Sequence, residues 1–160
     1  MSEEILSHLD KDGRATMVDV SEKAITKRTA TARSIVSLPD EVLTQLVDGE
    51  LQTKKGSVFQ IAIIAGIMAA KKTGDLIPLC HPLGLDNCNI IINLNENNVV
   101  IIDCTASITA KTGVEMEALV GASMAALTVY DMCKALSHDI IIKETKLIAK
   151  TGGKRDFKRA

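Results

Sequence analysis

Aromatic side chains are almost missing from this sequence of 160 residues: tryptophan is absent, and Phe59, Tyr130 and Phe157 complete the set. A flat heterocycle bound by such a chain has to be held by hydrogen bonds and charge, because stacking platforms are scarce. Excess positive charge is missing too. Nineteen basic against twenty acidic side chains leave a formal net charge of −1, which argues against a nucleic-acid binder. No apolar run is long enough for a bilayer. The longest, VFQIAIIAGIMAA, contains Gln60 and Gly66 and falls short of the roughly 20 residues a membrane helix needs. Cysteine is sparse: Cys80, Cys88, Cys104 and Cys133 include no CxxC pair. The opening MSEEILSHLDKDGR is acidic and polar, with no secretory apolar region. These absences lead to the expectation of a soluble cytoplasmic protein with free thiols and no nucleic-acid or membrane partner.

What is present suffices for one domain with a real core, since 46% of the residues are apolar. Residues 1–16 read as a flexible N-terminal arm, 17–150 as a single domain and 151–160 as a Gly/Lys-rich C-terminal tail. From Ala24 the segment AITKRTATARSIV alternates small or apolar with polar residues and predicts a long half-buried strand. PDEVLTQLVDG predicts a short helix, with Pro39 at its first position, acidic residues at its positive end and Gly49 as its stop. A second helix is expected from Ser57 to Thr73, capped by Ser57 and closed by Gly74. NCNIIINLN and VVIIDCTASIT flank the turn-rich ENN and predict an antiparallel hairpin. A long Ala- and Met-rich helix from Val114 to Leu136 precedes a last strand, DIIIKETKLIAK. Without the extra short helix the order is β-α-β-β-α-β, the ferredoxin-like α+β sandwich of two helices on an antiparallel sheet. Its open sheet face and apolar second helix favour self-association.

Chemistry-bearing residues gather in three kinds of place. Asp131 and Lys134 are three residues apart, so they share a helix face as a solvated ion pair or as an acid–base pair. Glu117 lies fourteen residues before Asp131; at about 1.5 Å per residue the two are about 21 Å apart, so one small-molecule site could use both only with a second subunit. Glu115 and Glu117 also suit the first turn of a helix on dipole grounds alone, and the direction of Glu115 depends on where the helix begins. Lysine–glycine loops at Lys54-Lys55-Gly56, Lys111-Thr112-Gly113 and Lys150-Thr151-Gly152-Gly153-Lys154 place cations beside free backbone amides, which suits a polyphosphate. None fits GxxxxGK[ST]. Finally, GDLIPLCHPLGLD sets Cys80 and His81 between Pro78 and Pro82. Too few ligands surround them for zinc, and adjacent side chains diverge too much for a Cys–His nucleophile. A rigid loop presenting backbone groups and one imidazole is the better reading.

At this point whole motifs resemble a known family. MVDVSEKAITKRTATA, KKGSVFQIAIIAGIMAAKKTGDLIPLCHPL, KTGVEMEALVGASMAALTVYDMCKAL and AKTGGKRDFK are similar to the cyclic pyranopterin monophosphate synthases of molybdenum-cofactor biosynthesis, the MoaC proteins. The resemblance runs from Met17 to Lys158. It implies a lyase that rearranges a cyclic dihydro-GTP intermediate into the pyranopterin and releases pyrophosphate. It implies no required cofactor and no protein-bound metal, and leaves open whether magnesium accompanies the triphosphate as a counter-ion. A homohexamer, a trimer of dimers with sites at subunit interfaces, and a functional link to a radical SAM GTP cyclase are implied as well. By motif, Asp131, Lys134 and Lys55 take catalytic roles, and His81 joins them as a proton donor or acceptor that works near pH 7. Leu79, Cys80, His81, Glu115, Met116, Glu117, Lys150, Lys154 and Arg28 take substrate-binding roles. The rival readings are a non-catalytic module that binds GTP-like nucleotides and a structural oligomer.

Overall fold

The computed structural model describes residues 6–160. Strand β1 (Thr26–Ser37) runs through the middle of the main sheet, paired antiparallel with β6 (Val99–Ala110) on one side and β7 (Ile141–Thr151) on the other. Its alternation decides which face is covered. Ala30, Ala32, Ser34 and Val36 are buried, and their register partners on β6 are Ala106, Cys104, Ile102 and Val100, also buried. On the opposite face Arg33 stands across from Asp103 in a two-pronged pair at 2.7 and 2.8 Å, and Thr31 bonds Thr105 at 2.8 Å. A period-two pattern of this kind leaves one face for helices and the other polar. β5 (Asn87–Leu94) forms the expected hairpin with β6, and Asn98, at φ 58, takes the left-handed position in its turn.

Two helices cover the apolar face. α2 (Val58–Lys71) and α4 (Glu115–Cys133) pack on each other and on the sheet. They cross at Gly66 and Gly121. A Cβ on Gly66 would meet the Ile90 side chain and lie 2.7 Å from the Gly121 carbonyl oxygen. A Cβ on Gly121 would lie 2.6 Å from Cys104 Sγ. Ala118, Ala122, Ala125 and Ala126 continue the buried side of α4, so small residues on both layers permit the close approach. The strand order β5-β6-β1-β7-β8, with β8 the short Phe157–Lys158, and the two helices on one face give the ferredoxin-like α+β sandwich that the pattern predicts.

The expected first helix is the main correction. Only Asp40–Leu43 is helical (α1), and Pro39 is its N-cap residue, not its first helical one. The chain then forms a small sheet of β2 (Leu46–Val47), β3 (Glu50–Thr53) and β4 (Gly56–Ser57). Asp48 and Gly49 have φ of 51° and 75°, the two positive values a tight hairpin turn requires, so this Asp-Gly is a β-turn and not a helix stop. Ser57 starts α2 without a side-chain cap; Glu50 Oε1 accepts from the Phe59 N–H at 2.9 Å instead. Gly74 does not close α2 but lies within a further turn, α3 (Thr73–Leu76). Phe157–Lys158 of the basic tail pair with β7 as an edge strand, β8. Of the arm expected at 1–16, residues 1–5 lie outside the described residues. The remainder turns back on itself through a Leu9–Ala15 bridge, with Asp10 accepting from the Asp12 and Arg14 N–H groups at 2.9 Å. Among the described residues no helix is long and apolar enough to cross a membrane.

Candidate active site

α4 carries functional groups at both ends, and the rest of the chain folds different loops onto each. At its C-terminal end, Lys134 Nζ lies 2.9 Å from Asp131 Oδ1 on the same helical face. Lys55, at the tip of the β3–β4 hairpin, brings its Nζ to 3.5 Å from Asp131 Oδ2. All three side chains are more than half exposed, at 65% for Lys55, 53% for Asp131 and 51% for Lys134. They rim a cavity of about 380 Å³ with an apolar floor that includes Leu51 and Met132. The hydrogen bond from Lys134, then its charge and that of Lys55, hold the Asp131 carboxyl below its ordinary range, and Asp131 in turn raises Lys134. In the chain alone Lys134 is thus a proton donor; a lysine that gives up its proton near neutrality needs the desolvation a covering ligand or partner supplies. Tyr130, the only tyrosine, sits half-buried against the core beside this group.

At the N-terminal end of α4, Leu79, Cys80 and His81 face Glu115, Met116 and Glu117 across a cavity of about 210 Å³. Glu117 is only 4% exposed, and burial pushes its carboxyl pKa up. Burial, followed by the Glu117 charge, raises the Cys80 thiol, which keeps it protonated and disfavours a nucleophilic role. His81 Nε2 is 2.8 Å from the Val18 carbonyl oxygen. A carbonyl only accepts, so Nε2 carries the hydrogen of that bond and Nδ1 is left for other work. Glu115 folds back over Gly113, where a Cβ would collide with its carboxylate, and meets Lys150 Nζ at 3.1 Å. The two glutamates whose directions differ on a helical wheel therefore line one cavity.

Arg28 and Lys154 lie in a neighbouring hollow of about 360 Å³ beside Gly152 and Gly153. Gly152 has φ of +88°, and its missing Cβ leaves room for the Lys27 carbonyl. Arg28 Nε donates to the Ala110 carbonyl at 3.1 Å, which orients the guanidinium. Lys23 lines both this hollow and the Glu117 cavity, and so joins them. Sequence reasoning missed Lys23, a lone lysine in a polar stretch, and also Ser7 and His8, which border the Glu117 cavity. Among the described residues no three His, Cys, Asp or Glu side chains converge as a metal site. The structure thus joins Lys55, Asp131 and Lys134 in one group and the LCH loop, the glutamates, Lys150, Arg28 and Lys154 in another. It does not bring the two groups together: Glu117 and Asp131 are fourteen residues apart on a continuous helix, about 21 Å.

The family model of MoaC matches residues 17–153. The chain belongs to the MoaC family. That MoaC match contains every site residue named above except Lys154, one position beyond its end, and the bordering Ser7 and His8. A relative from Xanthomonas axonopodis pv. citri named cyclic pyranopterin monophosphate synthase is 55% identical over 152 residues, covering 95% of this chain and 92% of that protein. Molybdenum cofactor biosynthesis protein 1 of Dictyostelium discoideum is 52% identical over 165 residues, 92% of this chain but 26% of its own length. A Synechocystis protein named molybdenum cofactor biosynthesis bifunctional protein is 50% identical over 156 residues, 95% of this chain and 45% of its own. MoaC sequences therefore occur both at about the length of this chain and as parts of larger proteins.

Proposed function

We propose that this chain is a cyclic pyranopterin monophosphate synthase, a lyase that converts cyclic dihydro-GTP to the pyranopterin with release of pyrophosphate. The observation that carries the reading is the division of labour along α4: an amine–carboxylate–amine group at one end, and a buried carboxylate with a constrained imidazole and flanking cations at the other. The 55% identical relative of that name supports it. In this reading Glu117 accepts hydrogen bonds from the guanidine-like edge of the base. Lys150, Arg28 and Lys154 attract the triphosphate. The lysines stabilise the charge that develops on departing pyrophosphate. Asp131, Lys134, Lys55 and His81 move the protons that ring opening and reclosure require. Because the two groups are about 21 Å apart in one chain, each site draws its halves from two protomers, and a trimer of dimers accommodates this. No cofactor enters these steps; magnesium would serve as a counter-ion. The substrate is the kind of product a radical SAM GTP cyclase supplies.

Pyrophosphate release from cyclic dihydro-GTP tests the reading. Lys55→Ala, Asp131→Ala and Lys134→Ala should each lower turnover by about 100-fold or more. The fold should survive, because all three side chains project into solvent in the chain alone. Near-normal turnover from all three defeats the assignment. Binding of the intermediate without any pyrophosphate release by the parent protein would make it a nucleotide-binding module instead.

A further inference from the structure

Lys55 has the most exposed side chain of its group, yet the hairpin that carries it is held in two places by residues outside that group. At the tip, Thr53 Oγ1 accepts from the Lys55 N–H at 3.1 Å and donates to the Gly56 carbonyl at 3.1 Å. Lower down, Glu50 Oε1 accepts from its neighbour Leu51 at 2.7 Å and from the N–H of Phe59, in the first turn of α2, at 2.9 Å. One carboxylate oxygen therefore ties the base of the β3–β4 hairpin to the start of the helix, at the end where the helix dipole favours negative charge. The Glu50 charge also acts on α4: burial and then that charge push the Cys133 thiol up to about 11. Glu50 thus joins the hairpin that carries Lys55 to the helix beside it, and its charge is felt at the helix that carries Asp131.

We propose that Glu50 and Thr53 are positioning residues for Lys55, clamping the hairpin to α2 so that the ammonium is delivered beside Asp131. The proposal rests on the reading of Lys55, Asp131 and Lys134 as one half of the active site. The clamp limits the ordering a flexible lysine would otherwise undergo when substrate arrives. A misplacement of about 1 Å at such a group can cost about 100-fold in rate.

Pyrophosphate release from cyclic dihydro-GTP decides the matter, at a temperature where circular dichroism shows each protein folded. Glu50→Ala should lower kcat by about 10- to 100-fold with KM changed less than about threefold, and Thr53→Val should lower kcat by about fivefold. Glu50→Gln keeps the accepting oxygen and should stay within about threefold of the parent. Adding Ser57→Asp to Glu50→Ala gives α2 a cap of its own, which should recover Tm but not kcat. Parent-like kcat in that double variant reduces Glu50 to a helix cap and overturns the proposal, as does parent-like kcat in both Glu50→Ala and Thr53→Val. If Glu50→Ala does not fold, Thr53→Val alone decides. Lys55→Ala runs in parallel: an active Lys55→Ala removes Lys55 from the proposed site and the positioning role with it, whereas an inactive Lys55→Ala beside an active Glu50→Ala rejects only the positioning role.

Discussion

Glu117 is the only charged side chain that is fully buried among the described residues, and its cost to the fold can be measured. Burial raises its carboxyl pKa, so the native chain holds that proton more tightly than the unfolded chain does. Its contribution to stability is then complete below the unfolded carboxyl pKa and is lost as pH rises through the folded value. Glu117→Gln removes a penalty present at neutral pH. It should raise Tm by about 2–4 °C near pH 7.5, corresponding to about 1 kcal/mol in a chain of this size, and give no gain near pH 3. Thermal melts at the two pH values check this; a lower Tm near neutrality would mean the carboxylate is stabilising as it stands. Turnover should fall in the same variant, the trade expected where a fold retains an unfavourable group for chemistry. The pairing of Asp131 with Lys134 was legible from spacing alone. The direction of Glu115 was not, because it depends on a backbone path over Gly113 that no side-chain pattern encodes.

Helix and strand periods carried most of the architecture. β1, the β5–β6 hairpin, α2, α4 and β7 follow their sequence patterns closely, since each buries one face or stripe against the same core. The failures fall where elements are shorter than a period can reveal. Two-residue strands such as β2 and β4 show no alternation, and Asp48-Gly49 serves equally as a helix stop or a hairpin turn until a partner strand is known. The crossing of α2 and α4 offers a test at this scale. Gly66→Ala puts a methyl group against the Gly121 carbonyl and Ile90, so something must shift. The substitution should destabilise by about 1–3 kcal/mol despite the better helix propensity of alanine. Chemical denaturation would register this as a lower midpoint at unchanged slope.

Across the whole molecule, the proposed function makes activity a property of neighbouring copies, because the two groups on α4 lie about 21 Å apart. Asp131→Ala and Glu117→Ala proteins should each be inactive when pure. Mixed before assembly in equal amounts, they should recover about a quarter of parent turnover, since half of the protomers supply each intact half-site. Recovery absent under conditions where mass spectrometry shows mixed oligomers would place both groups in the service of a single chain. Sequence anticipated this division because fourteen helical positions have a known length; which surfaces meet was beyond it, since α2 presents Ile64 and Met68 to solvent without indicating what covers them.

Tyr130 gives the molecule a built-in optical reporter. With tryptophan absent, ultraviolet emission comes almost wholly from this one phenol, one position from Asp131 on α4. A purine-like ring arriving beside Asp131 should quench that emission, so occupancy of this end of the helix can be followed without attaching a dye.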